Sequence, residues 1–156
     1  MAITLTMILA AMAIGELTGV ASWKAAAAVR RVQSDLRYAR QAALLSGRRT
    51  LCVFDLANAS YDLQQEAAPG TGSITALALD HPLTGSPWQV ALPDLSPGLG
   101  VSFTPTMNPA SIGFDAAGRP VTSAGAALTR DLVLEFTTGA RLTVRYRSGL
   151  CEVTWP

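Results

Sequence analysis

The spacing of apolar positions changes character along the chain. Residues 1–22 are almost continuously apolar, and Glu16 is their one ionisable side chain. As a helix this stretch rises about 33 Å, enough to cross a bilayer core of about 30 Å. Trp23 and Lys24 follow it, a pair suited to the interface, with the ring at headgroup depth and the amine in water. We read residues 1–22 as a membrane anchor that continues into the next helix. A buried core helix and a cleaved secretory signal are the alternatives, and the signal would need a basic region ahead of the apolar run. Glu16 needs a partner, a proton or a place near the interface, because an ionised carboxylate at mid-membrane costs about 2.5–3.5 kcal/mol.

Residues 24–45 contain no Gly or Pro and are rich in Ala, Arg, Gln and Leu, which favours a helix. Ala25, Val29, Val32, Leu36, Ala39 and Ala43 recur at steps of four and three, one stripe of an amphipathic helix. The stripe is made mostly of small side chains, so a neighbouring sheet can approach closely. Arg30, Arg31, Arg37 and Arg40 decorate the other faces, and Asp35 is within reach of Arg31 at i,i+4. Ser46-Gly47 is a stop signal, with Gly47 at the C-cap position.

Beyond Gly47 the period becomes strand-like. Leu51-Cys52-Val53-Phe54, the Asn58-Ala59-Ser60 turn and Tyr61-Asp62-Leu63 predict a hairpin. Ala68-Pro69-Gly70-Thr71-Gly72-Ser73 is a loop by composition. Residues 74–79, 88–92, 101–103 and 111–114 are short strand candidates, and Asp115-Ala116-Ala117-Gly118-Arg119-Pro120 is a turn. Leu132, Leu134 and Phe136 share one strand face, as do Leu142, Val144 and Tyr146. A connection through Thr138-Gly139-Ala140 brings both sets to one side and sets Asp131 opposite Arg147. Ser148-Gly149 then turns the chain into a last strand over residues 150–155. The sum is an α+β fold: a long N-terminal helix over residues 1–46, with 23–46 as its amphipathic half, on an antiparallel β domain over 47–156. Residues 25–46 and the β domain are expected to form one globular unit.

Composition sharpens this picture. Charged residues are only 15 % of the chain, well below the usual quarter of a soluble domain, and apolar ones are 49 %, so disorder is excluded. The net charge of +1 argues against nucleic-acid binding by bulk charge. That average hides a split. Residues 1–50 carry seven basic residues against Glu16 and Asp35, a balance of +5, which leaves −4 on residues 51–156.

Catalytic chemistry is absent from the pattern. His81 sits in the turn Asp80-His81-Pro82-Leu83-Thr84-Gly85 and reads as a surface loop histidine. No nucleophile elbow, phosphate loop or zinc-protease motif occurs, and one His with two Cys cannot build a conventional metal cluster. No cofactor, metal or small-molecule substrate is expected, and the chain is not read as an enzyme. Cys52 and Cys151 lie in the first and last strands of the β region; a disulfide between them requires those strands to be neighbours and an oxidising compartment. Two separately buried thiols are the alternative. Arg141, Arg145 and Arg147 share a strand parity and form a candidate basic surface, which Asp131 and Glu135 are placed to neutralise.

The run Asp35-Leu36-Arg37-Tyr38-Ala39-Arg40-Gln41-Ala42-Ala43, then Gly47-Arg48-Arg49, Val53-Phe54-Asp55 and Tyr61-Asp62-Leu63, resembles type IV pilin-like proteins. It is most similar to the H-type minor pseudopilins of type II secretion and the related minor pilins. His81-Pro82-Leu83-Thr84-Gly85 and the Phe114-Asp115-Ala116-Ala117-Gly118-Arg119-Pro120 turn fit the same pattern, as does the Ser148-Gly149 ending. The resemblance implies a non-enzymatic subunit of a secretion pseudopilus or a pilus. It implies a single-pass anchor in a bacterial inner membrane, a β domain in the periplasm, and contacts with other pilin or pseudopilin subunits through the N-terminal helix. A membrane-anchored periplasmic binding module is the alternative, with a DNA-contacting minor pilin as a variant. The family begins with a basic leader ending in Gly and has a Glu early in the mature helix. Met1 falls about seven residues inside that helix, so the leader is expected upstream, Glu16 is not the family's Glu, and no processing residue is carried over.

Overall fold

The computed structural model describes the backbone of residues 2–70, 77–103 and 110–156, and the side chains of 22–70, 79–101 and 110–156. The chain opens with one helix, α1, Ala2–Ser46. It stops where Gly47 takes φ +66°, a conformation glycine adopts without a Cβ clash, and the Gly47 amide closes the last turn on the Ala43 carbonyl at 3.0 Å. Among the described residues no helix is long and apolar enough to cross a membrane. The expected anchor, residues 1–22, lies apart from Ser22 outside the residues whose side chains are described.

Strands β1, Thr50–Asp55, and β2, Ser60–Gln65, form the expected hairpin. They continue into β3, Leu77–Ala78, and β4, Gln89–Ala91, both paired with the outer side of β2. On its other side β1 pairs with β6, Ser111–Phe114, which pairs with β7, Pro120–Val121. The second sheet runs β10, Cys151–Thr154; β9, Arg141–Val144; β8, Leu132–Phe136; and β5, Val101–Phe103. Every described pairing is antiparallel. The helix α1 packs across β1 and β6 of the first sheet and β10 of the second.

Some expectations change in detail. The strand placed over residues 88–92 shortens to β4, because Leu92 begins a one-turn helix, α2, Leu92–Leu95, with Pro93 in its first turn. Of the loop and strand placed over 68–79, residues 71–76 lie outside the described residues, and Leu77–Ala78 form β3. The last hairpin keeps its facing but shifts its register. Leu132 opposes Val144 and Leu134 opposes Leu142, so the connection runs through Thr137-Thr138-Gly139 and Asp131 meets Arg145 rather than Arg147. A shift of two residues preserves which side chains face inward, so alternation alone does not choose between the registers. Ala140, now beside Phe136, becomes fully buried.

Candidate functional site

The site is the seam where α1 meets the two sheets. The stripe Ala25, Val29, Val32, Leu36, Ala39 and Ala43 faces inward; Ala25 is 6 % exposed and the other five are at 0 %. Leu63, Ile112, Phe114, Leu142 and Val144 belong to the same apolar cluster. The alanines let the backbones approach: the Thr50 hydroxyl reaches the Ala39 carbonyl at 2.9 Å inside the seam. That bond satisfies a hydroxyl which would otherwise be buried without a partner.

Asp35 is the polar centre of the seam. It is 3 % exposed, and its carboxylate accepts from Tyr61 Oη at 2.6 Å, Trp88 Nε1 at 3.2 Å and Arg31 Nε at 3.0 Å. One helical carboxylate thus gathers donors from α1, from β2 and from the residue entering β4. A buried anion is tolerated when it is paired and hydrogen-bonded in this way. Burial, together with the Asp35 charge, pushes the Tyr61 phenol up from its ordinary value, so the tyrosine remains a donor. Trp88 is stacked with Tyr38 at a 4.6 Å centroid separation and lies against His81 at 4.5 Å. His81 is therefore half-buried against the seam rather than a free loop histidine, and its Nε2 lies 3.5 Å from Arg31 Nη2.

The other flank of the helix is tied to main chain. Gln33 Nε2 and Arg37 Nη2 both donate to the Cys151 carbonyl, at 2.8 and 3.1 Å, and Arg40 Nε donates to the Gly118 carbonyl at 3.0 Å. Beneath the helix end, buried Glu66 receives the Arg49 amide at 3.3 Å, and its carboxylate lies 4.0 Å from the Arg49 guanidinium.

Cys52 and Cys151 are both buried and both free thiols. They sit on β1 and β10, strands of different sheets that do not pair with each other. Burial pushes both thiols up, Cys151 to about 11. The basic surface expected at Arg141, Arg145 and Arg147 is largely neutralised. Arg141 pairs with Glu135 at 2.9 Å, and Arg145 bridges Asp131 at 2.8 Å and Glu152 at 2.9 Å. Arg147 lies beyond β9 and donates to the Tyr146 hydroxyl at 2.7 Å. Among the described residues no cluster of His, Cys, Asp and Glu could hold a metal ion.

Spacing along the sequence pairs Asp35 with Arg31 alone. The signal for its burial was present: Asp35 is three residues after Val32 and four before Ala39, within the apolar stripe. Tyr61 and Trp88 carried no comparable signal, since their approach to Asp35 depends on long-range pairing.

These features have counterparts among known proteins. The family described as type II transport protein GspH matches residues 28–148. The fold is similar to the minor pseudopilin EpsH from the type 2 secretion system of Vibrio cholerae, at 15 % identity and a TM-score of 0.59, covering 85 % of this chain and 96 % of that one. A second crystal structure of EpsH gives the same identity and score and covers 94 % of its chain. The type IV minor pilin FimU of Pseudomonas aeruginosa is similar at 17 % identity and a TM-score of 0.51, over 83 % of this chain and 86 % of that one. No curated protein sequence matches the chain. The match covers most of the seam, from Ala28 through the turn that precedes β10, and the chain belongs to the family of the type II transport protein GspH.

Proposed function

We propose that this chain is a minor pseudopilin or pilin subunit, a structural part of a type II secretion fibre. Its family and fold are those of pilin-like structural subunits. The observation that carries the reading is the construction of α1. Its second half is locked into the β domain through the buried stripe and Asp35, while the same helix continues back to Ala2. Such a helix transmits position rigidly from its first residues to the globular part. In this reading residues 1–22 anchor the subunit in the inner membrane and bundle with the helices of neighbouring subunits, and the β domain stands in the periplasm. Small and apolar helix faces pack closely in both settings.

The test is made in the native host. A photo-crosslinking residue in place of Trp23, which is 80 % exposed, is expected to give adducts with pilin-like subunits in the membrane fraction. Deleting the gene is expected to reduce secretion or piliation. Unchanged secretion and piliation, with the chain in the soluble cytoplasm, would overturn the reading.

A further inference from the structure

Contacts across the seam fix how the strands run along α1. Thr50, at the start of β1, reaches Ala39, while Tyr61, opposite Phe54 near its end, reaches Asp35. β1 therefore descends towards the first residues of α1, and the β1–β2 turn carries Leu56 about 7 Å beyond Phe54. β4 runs the same way, since Gln89 opposes Asp62 and Ala91 opposes Ser60. It delivers α2 next to that turn, where the Leu92 amide donates to the Ala59 carbonyl at 2.9 Å, and Leu95 ends α2. The hairpin closed by the Asp80–Pro87 bridge follows the helix in the same sense. Trp88 stacks on Tyr38 and donates to Asp35, and His81 lies by Arg31, one turn earlier, with Leu83 at the tip beyond it. On the other flank Gly149 lies beside Arg40, and the Cys151 carbonyl accepts from Gln33 and Arg37. β10 thus descends as well and carries Trp155 about 13 Å past Cys151.

The exposed apolar surface gathers at this end of the domain. Among the described residues eight large apolar side chains are exposed. Leu44 and Leu45 lie near the end of α1, and Leu150 shares a groove with Leu44. The other five, Trp23, Leu56, Leu83, Leu95 and Trp155, lie towards the end from which α1 runs back to Ala2. Leu83 is 89 % exposed on a hairpin tip that its own bonds hold in shape, since the His81 amide donates to the Ser86 carbonyl and the Gly85 amide to the His81 carbonyl, both at 2.8 Å. A braced loop with an open leucine at its tip suits insertion into an apolar phase, and tryptophan favours the boundary between such a phase and water. A tilt of the helix, commonly about 20°, lowers one side of this rim towards a bilayer. The charges beside the apolar residues are of both signs: Lys24 and Arg30 are exposed on α1, and Asp55, Asp80 and Asp94 are exposed around the leucines. A zwitterionic headgroup supplies a partner for each, a phosphate for the bases and an ammonium for the acids.

We propose that this end of the β domain rests on the bilayer surface, with Leu56, Leu83, Leu95 and Trp155 seated among zwitterionic headgroups beside the anchor. The contact sets the tilt of the subunit on the membrane, and it rests on the reading of residues 1–22 as a membrane anchor. The experiment uses the full chain in vesicles of phosphatidylcholine and phosphatidylethanolamine that contain a lipid with a nitroxide at its headgroup. A fluorophore is attached at Trp23→Cys, Leu83→Cys, Leu95→Cys or Leu45→Cys, one at a time, the native cysteines being buried. Loss of emission at 23, 83 and 95, with none at 45, is the expected result. Leu56→Asp and Trp155→Ser, both at exposed positions, are expected to restore emission at 83 and 95 without changing the urea midpoint. Exchanging both lipids for phosphatidylglycerol is expected to restore part of it, because the aspartates then lack an ammonium. Emission at 83 and 95 as high as at 45, quenching indifferent to Leu56→Asp and Trp155→Ser, or stronger quenching on phosphatidylglycerol would overturn the contact. If position 23 is quenched while 83 and 95 are not, the contact alone falls. If position 23 is unquenched as well, the anchor reading falls with it.

Discussion

Tyr61 donates its hydroxyl to Asp35 at 2.6 Å, and this bond joins the first sheet to a helix that ends fifteen residues earlier in the sequence, at Ser46. Trp88 adds a second donor to the same carboxylate from a third part of the chain. Removing the acceptor strands buried donors, whereas removing one donor strands only part of the acceptor. Asp35→Ala is therefore expected to cost about 3–5 kcal/mol of stability and Tyr61→Phe about 1.5–3 kcal/mol. A double-mutant cycle read by urea unfolding is expected to show coupling of about 1 kcal/mol or more. Additive effects would mean that the two groups do not share a bond.

Alkali is expected to weaken the fold. The native state keeps protons on Tyr61, Cys52 and Cys151 at a pH where the unfolded chain has begun to release them. The unfolded state then binds fewer protons, so stability falls as pH rises. This contribution is fully present below the ordinary thiol value of 9.0 and, for Cys151, is lost by about 11. Urea midpoints measured across that window for the parent and for Cys151→Ala are expected to converge at the alkaline end. A parent midpoint flat across the window would contradict the burial of these groups.

Thiol chemistry distinguishes free cysteines from a bridge. Cys52 and Cys151 are buried, so an alkylating reagent is expected to leave the native chain unlabelled. Unfolded in urea without reductant, each chain is expected to take up two alkyl groups by intact mass. An unlabelled unfolded chain would mean that the two sulfurs are bonded.

Close approach on both faces of the first sheet leaves no room for larger side chains. Ala39 is fully buried on the helix side, and Ala39→Leu is expected to cost about 1–3 kcal/mol. On the opposite face of the first sheet, beside Leu51 and Val121, a Cβ at Gly113 would stand 2.9 Å from the Thr50 carbonyl oxygen, so Gly113→Ala is also destabilising. Ser34→Ala, on the exposed helix face, is the control expected to stay within about 0.5 kcal/mol. Urea unfolding of all three checks the order, and a neutral Gly113→Ala would show that β1 and β6 are less closely apposed.

Periodicity made the helix, its buried stripe and the β1–β2 hairpin legible, because each depends on residues close in sequence. The last hairpin was only half legible. The facing of Leu132, Leu134, Leu142 and Val144 follows from alternation, but the register was settled by the burial of Ala140 and by the pairing of Asp131 with Arg145. The Asp35 cluster was less visible still. Its partners lie 26 and 53 residues away, a relationship that no local window contains. The α2 turn was hidden because Leu92 reads equally well as the end of a strand.

The bonds from Gln33 and Arg37 to the Cys151 carbonyl, from Arg40 to the Gly118 carbonyl, and from Thr50 to the Ala39 carbonyl share one property. Each accepting group is peptide oxygen, which every residue type supplies. Position 151 could hold any side chain that fits its space, and the helix would still find the same acceptor. The attachment therefore reads the path of the backbone rather than the identity of its residues. A helix fastened in this manner can keep its place while the sheet beneath it exchanges side chains, which gives a physical basis for a shared fold at 15 % identity.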